Sequence, residues 1–164
     1  MNVFDNIKGA EHVVAESSRL KATTAGHIYD LRVAADTDNG TIVAVGDHIE
    51  GQLFAAKAYA EGDKPYLILT PPLAYNGKKA WSAEKYFYNA AGDTARAYEL
   101  YVDDIYTVSA KAFVGTPAVG KYVDAGHNIK ESAPATGYVG VIVEEVAYNA
   151  ESKSYRVRVV KLGA

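Results

Sequence analysis

Gly137-Tyr-Val-Gly-Val-Ile-Val-Glu-Glu-Val-Ala-Tyr148 and Ser154-Tyr-Arg-Val-Arg-Val-Val-Lys-Leu162 lie either side of a short polar link, 149–153. Both runs are rich in β-branched and aromatic residues, which fit a pleated, half-buried surface. Together they read as an antiparallel hairpin. A four-residue loop at 150–153 sets Asn149 opposite Ser154 and Glu145 opposite Arg158, an opposite-charge cross-strand pair that favours this register. Near the loop the apolar face then holds Val146, Tyr148, Tyr155 and Val157. Farther along it switches to Val141, Val143, Val160 and Leu162. A flat sheet does not switch. A coiled hairpin at a barrel corner does, and so does one buried on both faces at different ends.

Working outward, Tyr29, Leu31 and Val33 alternate with Asp30 and Arg32, as in a half-buried strand. Asn39-Gly40 follows, before the apolar run Thr41–Val45. Asn-Gly between two such runs is the strongest short hairpin signal, because both residues tolerate positive φ. Gln52–Tyr59, Tyr66–Thr70, Lys85–Tyr88, Arg96–Val102, Ile105–Phe113 and Lys121–Val123 read as further strands. Asp124–Thr136 is polar, carries Pro134 and reads as a long surface loop. Short strands with frequent turns predict an all-β fold, a barrel or sandwich of short antiparallel strands. The alternative is α+β with a helix inside 52–61 or 80–92. Residues 1–27 lack a clean period and read as an extended N-terminal arm, with 28–164 forming the β domain. The arm packs either on its own domain or on a neighbouring protein, and Val3, Phe4 and Ile7 are its candidate contacts.

The chain has 164 residues, enough for one compact domain that buries about 70% of its unfolded surface. With Cys 0 there is no disulfide scaffold, no Cys-ligated metal and no cysteine nucleophile. A formal net charge of −3 carries no electrostatic footprint for nucleic acid. Met1–Lys8 has no apolar core of signal-peptide length. Pro65–Tyr75 is too short to span a bilayer. These features predict a soluble protein made in a cytoplasm, with neither nucleic acid nor membrane as partner.

No enzyme motif appears. His12, His27, His48 and His127 are scattered, with no pair at metal-ligand spacing, and read as solvent-facing or loop histidines. Asp36-x-Asp38-x-Gly40 resembles a calcium loop, but residue 41 is threonine where an EF-hand loop needs glycine. Asp103-Asp104 and Glu144-Glu145 are adjacent, so on strands they point to opposite faces and do not converge on one substrate atom. They read as solvated charges or ion-pair partners. No nucleophile elbow, phosphate loop or dinucleotide fingerprint is present. These absences predict a non-enzymatic protein that needs no cofactor.

The aromatic balance is unusual: Tyr 13 against Phe 4 and Trp 1. Tyrosine buries ring area while its hydroxyl keeps a hydrogen bond, which suits an interface. Tyr66, Tyr75, Trp81, Tyr86 and Tyr88 are therefore candidate interface residues. The same cluster could stack on sugars, which makes a carbohydrate-binding β module the alternative function.

Residues 85–113 (Lys-Tyr-Phe-Tyr-Asn-Ala-Ala-Gly-Asp-Thr-Ala-Arg-Ala-Tyr-Glu-Leu-Tyr-Val-Asp-Asp-Ile-Tyr-Thr-Val-Ser-Ala-Lys-Ala-Phe) and 115–123 (Gly-Thr-Pro-Ala-Val-Gly-Lys-Tyr-Val) resemble the decoration, or cement, proteins of tailed-bacteriophage capsids. Residues 31–46 are similar to the same group. About a third of the chain is involved. The resemblance implies a β-rich structural virion protein without catalytic residues. It would bind the outer face of the major capsid protein lattice and stabilise it, as a dimer or trimer on the capsid surface.

Overall fold

The computed structural model describes residues 11–71, 87–149 and 152–163. The fold is all-β. Its strands are β1 (Ala15–Arg19), β2 (Ile28–Arg32), β3 (Ile42–Glu50), β4 (Leu53–Ala58), β5 (Tyr66–Ile68), β6 (Thr94–Glu99), β7 (Ile105–Ser109), β8 (Tyr122–Val123), β9 (Ile129–Lys130), β10 (Tyr138–Asn149) and β11 (Ser152–Leu162). One turn of helix, α1 (Ala22–Ala25), links β1 to β2. A closed barrel runs β2-β4-β3-β5-β6, and an open sheet runs β1-β7-β11-β10-β8-β9. Among the described residues no helix is long and apolar enough to cross a membrane.

The two sheets share a wall. Val43, Tyr66 and Ile68 fill the barrel with Leu31, Val33, Ala95 and Ala97. Their neighbours Ile42, Leu67 and Leu69 point the other way, into a core with Tyr106, Val108, Tyr138, Ile142, Val157 and Val159 of the open sheet. The continuous apolar run Tyr66-Leu-Ile-Leu69 follows from this: a strand buried on both faces has no polar positions to alternate. Gly40 sits where the barrel's long β2–β3 connection meets the sheet. Its φ is +88°, and an added Cβ would lie 2.8 Å from Val108 Cγ1, so both backbone conformation and space demand glycine.

Several expectations change. Asn39-Gly40 does not close a hairpin, since β2 pairs with β4 in parallel and with β6 antiparallel, never with β3. Asn39 is buried, and its side chain mimics a strand partner: Nδ2 donates to Thr70 O (2.9 Å) and Oδ1 accepts from Thr70 N (3.0 Å). Residues 52–61 form no helix, because β4 is a strand whose Phe54 and Ala56 pack on the barrel core. Residues 87–92 form none either, and Phe87 and Tyr88 lie outside any strand; Lys85 and Tyr86 are outside the described residues. The long loop 124–136 contains β9.

Of the two alternatives for residues 1–27, packing on the chain's own domain is the one seen over 11–27. β1 pairs with β7, and Val13, Val14, Leu20 and Ala22 are buried in the chain's own body. Val3, Phe4 and Ile7 lie outside the described residues.

The C-terminal hairpin forms in a different register. Asn149 faces Ser152, Glu144 faces Arg156, and Val141 faces Arg158. The expected Glu145/Arg158 pair is replaced by ion pairs of Glu144 with Arg156, Glu145 with Lys153 (2.8 Å) and Arg158 with Asp103. The expected switch of apolar face to Val141, Val143, Val160 and Leu162 does not form: Val143 and Val160 are exposed and Val141 is half-buried, while a register shift near Val139 lets Leu162, three residues past Val159, also reach the core.

Candidate functional site on the outer face of the open sheet

The inner face of the open sheet is occupied by the barrel, so its outer face is the surface it presents. The pairings align one residue from every strand there: Arg19, Ile105, Arg158, Val141, Tyr122 and Lys130. Residues paired across strands share a face, so this row crosses the whole sheet as three cationic positions separated by one or two apolar or aromatic ones. Arg19, Arg158 and Lys130 are exposed, while Ile105, Val141 and Tyr122 are half-buried between them. Arg158 pairs with Asp103, and Lys130 Nζ lies 3.8 Å from Asp124. Arg19 makes no ion pair among the described residues.

Exposed valines flank the middle of the row on either side. On one side the β6–β7 turn is stitched to β11: Asp103 N donates to Val159 O (2.9 Å) and Val159 N to Asp104 O (2.8 Å). Val102, 50% exposed, and Val160, 45% exposed, adjoin these bonded residues in the chain. Asp103 takes φ +74°, so the two aspartates sit in a turn rather than on a strand. They do different work. Asp103 pairs at the surface with Arg158, while Asp104 is buried and accepts from Lys21 N (3.0 Å) and Tyr101 N (2.9 Å). Burial pushes the Asp104 carboxyl up, against these two amide bonds, which pull it down. On the other side Gly120 N donates to Ile142 O and Ile142 N to Lys121 O, and exposed Val119 and Val143 are the chain neighbours of these bonded residues.

The aromatic candidates do not gather on this face. Tyr66 is 6% exposed, its ring lying 5.2 Å from that of Tyr29 in the mouth of the barrel. It offers no surface to a partner, because the doubly buried β5 turns it inward. Burial and nearby Glu99 raise its hydroxyl pKa. Tyr88 is half-buried and stacks on His12 with ring centroids 4.5 Å apart. Tyr75, Trp81 and Tyr86 lie outside the described residues. Tyr122, the aromatic member of the row, was not singled out in the sequence. It could be placed only once the order of six strands was known.

The histidines divide. His48 is exposed on β3. His12 Nδ1 meets Asp38 Oδ1 at 2.5 Å. His27 Nδ1 meets Glu99 Oε2 at 2.5 Å, and this buried carboxylate also accepts from Tyr101 Oη (3.2 Å) and lies 3.6 Å from Lys64 Nζ. A carboxylate-oriented imidazole is one half of a nucleophile-activating pair, but no hydroxyl among the described residues bonds to His27 Nε2. His127, expected at the surface, is 4% exposed. Among the described residues no three His, Asp or Glu side chains are grouped to hold a metal ion. Comparison with protein-family models, curated proteins and solved structures found no match to this chain.

Proposed function

We propose that this chain is a non-enzymatic structural protein of a tailed-phage virion. It binds the outer surface of the capsid lattice, through the major capsid protein, and stabilises it. The observation that carries the structural side of this reading is the Arg19-Ile105-Arg158-Val141-Tyr122-Lys130 row, flanked by exposed valines. Half-buried apolar side chains between cations suit a protein partner with an acidic, partly apolar face. The sequence resemblance supplies the phage context. Repetition of one modest contact over a lattice gives avidity without a large single interface. The carbohydrate alternative rests on the Tyr/Trp cluster, of which Tyr66 is buried, Tyr88 is stacked on His12, and Tyr75, Trp81 and Tyr86 lie outside the described residues.

The test is co-sedimentation with expanded heads of the phage that encodes the chain. Wild-type protein should pellet with heads. The charge-reversed triple variant Arg19→Glu/Lys130→Glu/Arg158→Glu should stay in the supernatant while keeping its far-ultraviolet circular dichroism. Failure of the wild type to bind would overturn the function. Binding by a folded reversal variant would remove the row from it.

A further inference from the structure

His127 lies in the turn between β8 and β9, at φ +55°. Its ring is enclosed by Tyr106 of β7 (centroids 5.9 Å) and Phe113 (5.7 Å), both edge-on. Nε2 is 2.9 Å from Tyr106 Oη, which is 2.7 Å from Tyr138 Oη of β10. The backbone N–H of Tyr138 in turn donates to Tyr59 Oη, just past β4 (2.9 Å). A hydrogen-bonded chain thus runs from the turn to Tyr138 Oη, and the backbone of the same tyrosine is bonded separately to Tyr59. The same turn is tied to the loop before it, as Val114 N donates to His127 O and Ile129 N to Val114 O.

This path has a direction. Of the two neutral tautomers, only Nδ1–H gives both hydroxyl protons an acceptor: Nε2 then accepts from Tyr106 O–H, and Tyr106 Oη accepts from Tyr138 O–H. Both tyrosine hydroxyls are held protonated by burial. A protonated ring must donate instead. Tyr106 would then turn its proton to Tyr138, whose own proton has no other acceptor among the described residues. Protonation therefore both buries a charge and orphans a hydroxyl, two separate costs.

We propose that His127 is an acid-sensitive latch: its protonation releases the β8–β9 turn from the core while the barrel stays folded. The turn is the separable part because β8 and β9 have two residues each and form one end of the sheet. Their displacement would move Tyr122 and Lys130, but the latch stands on core geometry and not on capsid binding. Few charges face the ring. Asp124 of the same turn favours its protonation. Asp38 and Lys111 line a cavity of about 250 Å³ with His127 and bring opposite charges. Tyr106, and Tyr138 beyond it, are neutral. Burial dominates and lowers the His127 pKa to about 4 from an ordinary 6.5. A depressed histidine favours the closed state at high pH. That preference is lost as pH falls from 6.5 and is exhausted below about 4.

Hydrogen exchange of the full chain between pH 7 and 4.5, corrected for intrinsic rates, reads the latch. Protection of amides in 122–130 should fall by up to about tenfold per pH unit below 6.5, while amides of β2 to β6 hold theirs. His127→Gln, which keeps a hydrogen-bonding group but cannot be protonated in this range, should flatten the response. Asp124→Asn should retain it. Three results would overturn the proposal: unchanged protection at 122–130, the same acid opening in His127→Gln, or loss of barrel protection in step with the turn. If His127→Gln does not fold, titration of the wild-type imidazole by NMR decides, and a midpoint at or above 6 sinks the latch.

Discussion

The barrel and the open sheet are built from similar short strands but solve different problems. The barrel closes on itself, so its strands have no free edges, and two alanines, Ala95 and Ala97, suffice where the small radius leaves little room beside Tyr66. The open sheet keeps edges at β1 and β9 and must bury one face against something else. That something is the outside of β3 and β5. The barrel thus acts as a floor, and the outer face of the sheet is free to carry a row of mixed character. The closed barrel and the face proposed for recognition lie on different parts of one chain.

Adjacent residues of β5 test that division most forcefully. Leu67 and Ile68 are both fully buried, Leu67 in the shared wall and Ile68 inside the barrel. Truncation of either to alanine should cost about 2–5 kcal/mol by denaturant unfolding. Hydrogen exchange separates them. Leu67→Ala should weaken protection in barrel and sheet alike, whereas Ile68→Ala should weaken the barrel first. Equal losses in both regions from Ile68→Ala would show that the two unfold as one unit, and the comparison would break.

Why Tyr66 was expected at a surface can be traced to the same two-sided strand. A tyrosine in an apolar run reads as an interface residue when the run is taken to have one buried face. An unalternating Tyr-Leu-Ile-Leu already carries the signal of two. Single strands such as β2, β4 and β7 were legible because local periodicity sets them. Pairings were not. Asn39-Gly40 looked like a hairpin because its chemistry suits one, but the Asn39 side chain bonds to Thr70, thirty-one residues away. In the C-terminal hairpin, Glu144 and Glu145 offer near-equivalent partners to Arg156 and Arg158, and register shifts decide among them. The cross-strand row has no local signature, since its six members span residues 19 to 158. The burial of His127 was equally hidden, because a histidine between glycine and asparagine in a polar stretch has nothing beside it in sequence that announces Phe113 or Tyr106.

A smaller effect probes the tie between the two parts. Tyr59 Oη accepts the N–H of Tyr138, the first residue of β10. Tyr59→Phe removes that acceptor and keeps the ring packed. It should cost about 1–3 kcal/mol, because the amide left behind has no replacement. The loss should appear in exchange of the β10 amides near Tyr138 before it appears in β2 or β6. Loss confined to the barrel would mean that Tyr59 belongs to the barrel's own packing and ties nothing.

The smallest effect on stability is expected at the centre of the row itself. The Arg158 and Asp103 side chains are 51% and 66% exposed, so water competes for both charges and the fixed geometry costs side-chain entropy. Arg158→Ala should change stability by no more than about 1 kcal/mol, and the change should shrink as salt is added. The stem of Arg158 lies beside Ile105 and Val141, and that contact is lost with the charge. Arg158→Met keeps much of the stem and so isolates the charge. If the row is a recognition surface, both variants should fold near wild-type stability, and Arg158→Met should recover little of any lost capsid binding. A loss of several kcal/mol in either would make Arg158 a structural residue of the β7–β11 seam and weaken the division between floor and face.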